Sequence, residues 1–185
     1  MAFLPGFETA RLSLRPSTPD DAREVWGFQQ RCLAVPEALR FMQLSRETVD
    51  EVRARLEARE RDGSTPRPRT LAWHARLRGD SAVIGFAGFV RWNHDHHRSE
   101  VFYGVEPTHR AKGIAGEALS RLLDFGWSEL GLHRAEAHMD PENTASIRIA
   151  EKLGFVREGR FRESHFSQGR YFDSLVYAKL TESRR

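Results

Sequence analysis

Glu100–Leu130 (EVFYGVEPTHRAKGIAGEALSRLLDFGWSEL) changes its hydrophobic period part-way. Glu100–Val105 is short, rich in β-branched and aromatic residues, and reads as a strand. From Ala115 to Leu130, apolar residues recur at 115, 118, 119, 122, 123 and 130, with Glu117, Arg121 and Asp124 between them. That is the period of an amphipathic helix. The linking segment holds Gly113 and Gly116, which permit close backbone approach, and the cations Arg110 and Lys112. A helix start has unpaired amide N–H groups and partial positive charge, so this junction suits an anion the size of a diphosphate. A glycine-containing loop that merely caps a helix has the same local form, and the loop alone leaves both readings open. Its spacing matches neither a G-x-x-x-x-G-K-[ST] loop nor a G-x-G-x-x-G fingerprint.

Before this junction, Arg11–Arg15 alternates and meets Pro16, a short strand with a stop. Thr18-Pro19-Asp20-Asp21 announces a helix over Asp21–Gln30, and Ser45–Glu47 opens another that runs through Arg61 and ends at Asp62-Gly63. Thr70–Arg76 and Ala82–Trp92 read as strands around Gly79-Asp80, with Gly85 and Gly88 marking a bulge or a close backbone approach. After the junction come a strand over His133–Met139, a helix over Asn143–Leu153 capped by Asn143 and ended by Gly154, and strands Val156–Phe166 and Tyr171–Leu180 around Gln168-Gly169. The order β-α-α-β-β-β-α-β-α-β-β predicts an α/β domain on one sheet.

The 185 residues suit one domain, 1–185, since neither half alone would bury much core. No apolar run approaches the ~20 residues of a membrane span, so no membrane partner is expected. Met1–Gly6 lacks a signal-peptide pattern. Cys32 is the only cysteine, which excludes an internal disulfide and suits a reducing cytoplasm, the expected location. The net charge of +3 is too small to demand nucleic acid, leaving it only as part of a ribosomal or tRNA substrate.

The segment Arg110-Ala111-Lys112-Gly113-Ile114-Ala115 resembles the R/Q-x-x-G-x-G/A signature of the GNAT (GCN5-related N-acetyltransferase) superfamily. Leu130–Arg134, Asp140–Ser146 and Glu151–Gly159 are similar to its RimJ/RimL subgroup of ribosomal-protein alanine acetyltransferases, as is the opening Glu8–Pro16. The motifs are densest over residues 99–160. The resemblance implies a GNAT fold, with a mixed, mostly antiparallel sheet splayed at its centre and flanked by helices. It implies acetyl-coenzyme A as co-substrate, no metal, and an amine acceptor such as a ribosomal or other protein N-terminus. A polyamine, an antibiotic or an aminoacyl-tRNA is the rival acceptor, and a non-catalytic acyl-coenzyme A sensor the rival from another class. Homodimerisation stays open.

By the same resemblance, the pantetheine pairs with the backbone of Tyr103, Gly104 and Val105. The cofactor-binding loop is Arg110, Ala111, Lys112, Gly113, Ile114, Ala115 and Gly116, with the diphosphate on the amides from Lys112 onward. Asn143 binds the cofactor arm, and Ser146, one helical turn on, gives a proton to the leaving thiolate. Many relatives carry a Tyr seven residues after this Asn; here it is Ala150, which strengthens the case for Ser146. Glu100 is the candidate general base, with a solvated strand carboxylate as the alternative. Phe102 stands where the subgroup usually has Gly.

The remaining features read more simply. His94-Asp95-His96-His97 is expected to be a solvated loop, at most lining the acceptor site, because its spacing is not that of a metal site. Cys32 is expected to pack. Trp26, Phe28, Phe41 and Met42 are candidate walls of the acceptor pocket, and the Glu/Arg-rich helix 47–61 is expected to be a solvated face. Few acids are expected at the acceptor site.

Overall fold

The computed structural model describes residues 4–35, 40–42, 44–167 and 169–181. Eight strands form one sheet: β1 Phe7–Glu8, β2 Leu12–Pro16, β3 Leu71–Leu77, β4 Gly85–Asn93, β5 Arg98–Val105, β6 Arg134–Met139, β7 Val156–Ser167 and β8 Arg170–Leu180. The helices are α1 Ala22–Leu33, α2 Val49–Gly63, α3 Ile114–Ser128 and α4 Thr144–Lys152. The sheet order is β1-β2-β3-β4-β5-β6-β8-β7. Every pair is antiparallel except β5 with β6, which run parallel. The expected α/β sheet is borne out; β1, only two residues long, has no signal in the sequence.

The parallel pair covers only Arg98↔Arg134, Ser99↔Ala135 and Glu100↔Glu136. Beyond it β5 stays on β4 as far as Gly85↔Val105, while β6 stays on β8 as far as Met139↔Leu175. The sheet therefore splits at its centre after Glu100.

Alternation sorts side chains between the two faces. Leu71, Trp73 and Ala75 of β3 join Val101 of β5 and the buried stripe Ile114, Ala118, Leu119 and Leu122 of α3 in the main core. On the opposite face α1 and α2 pack through Ala22, Val25, Val52 and Leu56, and Phe28, Cys32 and Val83 form a third cluster. Cys32 is buried as expected, and burial pushes its thiol up to about 11.

Helix α2 starts later than the expected Ser45–Glu47. Thr48 accepts from the Glu51 amide while Glu51 accepts from the Thr48 amide, a capping box that fixes the first turn at Val49. Gln168 of the expected β7–β8 turn lies outside the described residues, whereas Gly169 has φ +78°.

Gly85 and Gly88 are sites of close approach. A Cβ on Gly88 would lie 2.4 Å from the Leu71 carbonyl oxygen and 2.5 Å from the Phe102 ring, its partner in register. The bulge lies farther along, between Val90 and Asn93, where Arg91 has φ +52°. Phe102 therefore depends on a glycine opposite. Gly88→Ala should cost about 1–3 kcal/mol through overpacking, measured by urea denaturation; a loss below ~0.5 kcal/mol would contradict this packing.

Candidate active site

The loop from β5 into α3 is clamped at both ends. At its entry the buried Glu106 accepts from Arg31 Nε at 2.7 Å and from Thr108 Oγ1 at 3.0 Å, and its Oε1 lies 2.8 Å from His109 Nδ1. At its exit Arg11 donates to the Lys112 carbonyl (2.7 Å) and to Glu117 of α3 (2.7 Å), which Thr9 also engages. Between the clamps Ala111 has φ +59° and Gly113 φ +76°. A left-handed alanine costs about 1–2 kcal/mol, and such strain persists where the surroundings enforce it. The two left-handed residues, on either side of Lys112, turn the backbone sharply into the first turn of α3, the kind of curled main chain whose N–H groups form an anion nest. This fits the expected diphosphate cradle at Arg110–Gly116. Arg110 is a partial exception: its guanidinium reaches Met42 Sδ at 3.9 Å. Arg11 and Glu117 were not singled out, because RLSLR signals only a strand and Glu117 only a helix surface.

Behind the split lies a cavity of about 960 Å³. Glu100, Tyr103, Asn143 and Ser146 all line it, while Gly104, Val105 and Arg110–Gly116 stay outside its lining. Asn143 caps α4, its side-chain oxygen accepting from the Ser146 amide at 3.2 Å. The Tyr103 phenol donates to the Ser146 carbonyl at 3.2 Å, and burial pushes it up to about 12, so it stays protonated. Sequence reasoning used only the backbone of Tyr103. Glu100, largely covered, is ion-paired with the mostly exposed Arg91.

Several expectations about the acceptor side need correction. Phe28, Phe41 and Met42 line the cavity; Trp26 instead packs near Val49 and donates to the Glu47 carbonyl at 3.0 Å. Helix α2 is no merely solvated face, since Arg55 and Arg59 reach the cavity; a helical-period reading misses them because arginine stems span from a polar position to a buried wall. The acids are not few: Glu47, Glu100, Glu136, Asp140 and Asp173 all line it. The His94–His97 loop does not line it. His94 stacks on Trp92 and its Nε2 lies 2.8 Å from the Pro68 carbonyl, while Asp95 pairs with Arg67.

Residues 11–156 match the Acetyltransferase (GNAT) domain family. The uncharacterised N-acetyltransferase YoaA of Bacillus subtilis is 30% identical over 175 residues, 94% of this chain and 96% of YoaA. The chain belongs to the GNAT acetyltransferase family. It is an acyl-coenzyme A-dependent N-acetyltransferase whose co-substrate is acetyl-coenzyme A. Among other GNAT relatives, the spermidine N(1)-acetyltransferase of Vibrio cholerae is 34% identical over 91 residues, 49% of this chain and 53% of that one. A ribosomal-protein alanine acetyltransferase from Vibrio fischeri shares the fold with a TM-score of 0.87 at 20% identity, over 98% of this chain and 99% of that one.

His74, on β3 and buried, also lines this cavity. Burial, reinforced by Arg59, Arg76 and Arg55, pushes its imidazole down to about 3. Below the ordinary histidine value of about 6.5 the unfolded chain takes up a proton that the folded chain refuses until about pH 3. Stability should fall as pH drops through that window, with a slope of at most about 1.4 kcal/mol per pH unit. His74→Gln should flatten the slope between about pH 6.5 and 5 in urea titrations; an unchanged slope would mean that His74 is not held neutral.

Proposed function

We propose that the protein transfers the acetyl group to an α-amine, such as a peptide N-terminus or a small molecule bearing one, with Glu100 as general base and Ser146 as proton donor. The observation that carries this reading is the split after Glu100↔Glu136, which leaves one edge of β5 without a strand partner beside a cavity lined by Glu100 and Ser146. An unpaired sheet edge inside a domain suits an extended chain with its own amide groups, and the pantetheine arm of the co-substrate is such a chain. Tyr103, Gly104 and Val105 are the residues proposed to receive it, and the nest at Arg110–Gly116 its diphosphate.

Acetyl-coenzyme A supplies an activated thioester, and the chain must handle two protons around it. The amine has to be neutral to attack. At pH 7 this costs about 1 kcal/mol for an α-amine and about 4.6 kcal/mol for a lysine-like amine. A single carboxylate base, already paired with Arg91, favours the easier acceptor. On the leaving side a thiol with a pKa near ~8.5 needs only a weak donor. The Ser146 hydroxyl lines the cavity at the first turn of α4 and makes no hydrogen bond among the described residues. Tyr103 holds the Ser146 backbone in place, and Asn143 fixes the start of the helix. The resemblance to ribosomal-protein alanine acetyltransferases supports an α-amine, and the spermidine acetyltransferase relatives keep a polyamine as the alternative.

Isothermal titration should show acetyl-coenzyme A binding, and its absence would remove the reading. Glu100→Gln and Ser146→Ala should each lower kcat about 10²–10⁴-fold, the range of general acid–base catalysis. Their acetyl-coenzyme A affinity should stay within a few-fold. Wild-type kcat in either variant would remove that residue's role.

A further inference from the structure

The cavity wall formed by α2 and β3 carries a charge that no described residue neutralises. Each acid lining the cavity already has an arginine: Glu47 has Arg55, Glu100 has Arg91, Glu136 has Arg134 and Arg98, Asp140 has Arg40, and Asp173 has Arg160. Among the cavity-lining arginines, Arg40, Arg55, Arg91 and Arg98 are those partners. Arg59 makes no ion pair or hydrogen bond among the described residues, although the residue is half-buried and lines the same wall. Glu47, the acid whose charge acts on Arg59, is occupied by two Arg55 nitrogens at 3.0 and 2.9 Å and by Gln29 at 2.7 Å.

Two further observations mark the same wall. Gln29 Oε1 and His74 Nδ1, both buried, have no hydrogen-bond partner among the described residues, and both residues line the cavity. His165 Nε2, also unpartnered, belongs to a lining residue as well. Buried polar groups are normally satisfied, so a cluster of exceptions in one cavity points to a polar occupant. Burial, with Arg59, Arg76 and Arg55 nearby, keeps His74 uncharged beside this wall.

We infer that the acceptor amine carries its own anionic oxygen group, a carboxylate or a phosphate, which docks on Arg59. This rests on the acetyl-transfer reading of the cavity and narrows its acceptor class. An unpaired arginine at a half-buried position is costly, and an oxyanion matches its planar fork of donors. A polyamine meets the opposite situation. Its second ammonium would face Arg59 and find every lining carboxylate already paired.

Acceptors of similar shape and different charge, compared at equal concentrations of neutral amine, test this. Alanine against alaninamide probes the carboxylate of a free amino acid. The capped-C-terminus peptides Ala-Glu-Ala and Ala-Gln-Ala probe an acidic side chain beside a peptide N-terminus, and phosphoethanolamine against ethanolamine probes a phosphate. Spermidine is the polycationic comparison. With thiol release as the readout, the anionic member of at least one pair should have a kcat/KM at least tenfold higher than its neutral twin, about 1.4 kcal/mol. In Arg59→Gln that ratio should collapse toward one through a rise in KM for the anionic member, and Arg59→Lys should restore part of it. Calorimetry on the coenzyme A-saturated enzyme, with N-acetylalanine against N-acetylalaninamide, asks the same question without turnover: the acid should bind more tightly, and less so in Arg59→Gln. The anion site is overturned if neutral twins or spermidine are preferred in the wild type, if Arg59→Gln leaves the ratio unchanged, or if calorimetry shows equal binding where no amine turns over. Failure of acetyl-coenzyme A to bind at all would instead overturn the acetyl-transfer reading beneath it.

Discussion

Three residue pairs hold the two halves of the sheet together, Arg98↔Arg134, Ser99↔Ala135 and Glu100↔Glu136. Strands β5 and β6 diverge after these pairs while each keeps its antiparallel neighbour on its other edge. Strand β5 remains on β4 through Val105, and β6 remains on β8 through Met139. The wedge between them is bridged by side chains, with Tyr103 reaching from β5 to the Ser146 carbonyl on α4. The break puts an unpaired backbone edge, the cap of α4 and the β5 carboxylate around one cavity. A longer parallel ladder would close the edge and with it the place for an extended cofactor arm.

The second constraint is electrostatic. A cavity lined by five carboxylates would be hard to desolvate if they were free, and arginine solves this because its fork can engage two oxygens at once. Arg40 does so to Asp140 at 3.1 and 3.2 Å, and Arg55 does so to Glu47 at 3.0 and 2.9 Å. The result is a polar but nearly neutralised cavity in which one further arginine changes the local sign. Charge in this cavity is therefore better counted in pairs than in residues, and the many acids do not make it a cation site.

Much of the fold was legible from local signals. The change of period at Ala115, the Asn143 cap and the close approach at Gly85 and Gly88 each depend on neighbours in sequence or on a single backbone contact. The β5–α3 loop was legible as a loop for the same reason, since its glycines and cations lie close together in sequence. What stayed hidden depends on pairing at long range. The split after Glu100 is a property of three strands together. Arg11 braces the loop from about a hundred residues away. Arg55 and Arg59 occupy polar positions of a charged helix, and only packing of α2 against the rest of the domain turns their long stems toward the cavity. The start of α2 was misplaced because Ser45–Glu47 and Thr48–Glu51 both resemble caps, and only the second closes a reciprocal box.

On the proposed mechanism the same pairing raises a question about the base. Glu100 is ion-paired with Arg91, so an incoming amine has to share or displace that partner. The two partners are unequally exposed: the Glu100 side chain keeps 16% of its accessible surface and the Arg91 side chain 70%. An ion pair with one solvated partner contributes about 0–1 kcal/mol, so parting it costs little beside the about 4.6 kcal/mol of deprotonating a lysine-like amine. The exposed partner is the one able to move, because Glu100 is fixed in the last residue pair of the parallel ladder. Arg91 also sits at the bulge of β4 with a left-handed backbone, which detaches its residue from the regular ladder. An acceptor entering the cavity would then meet a movable arginine and a fixed carboxylate.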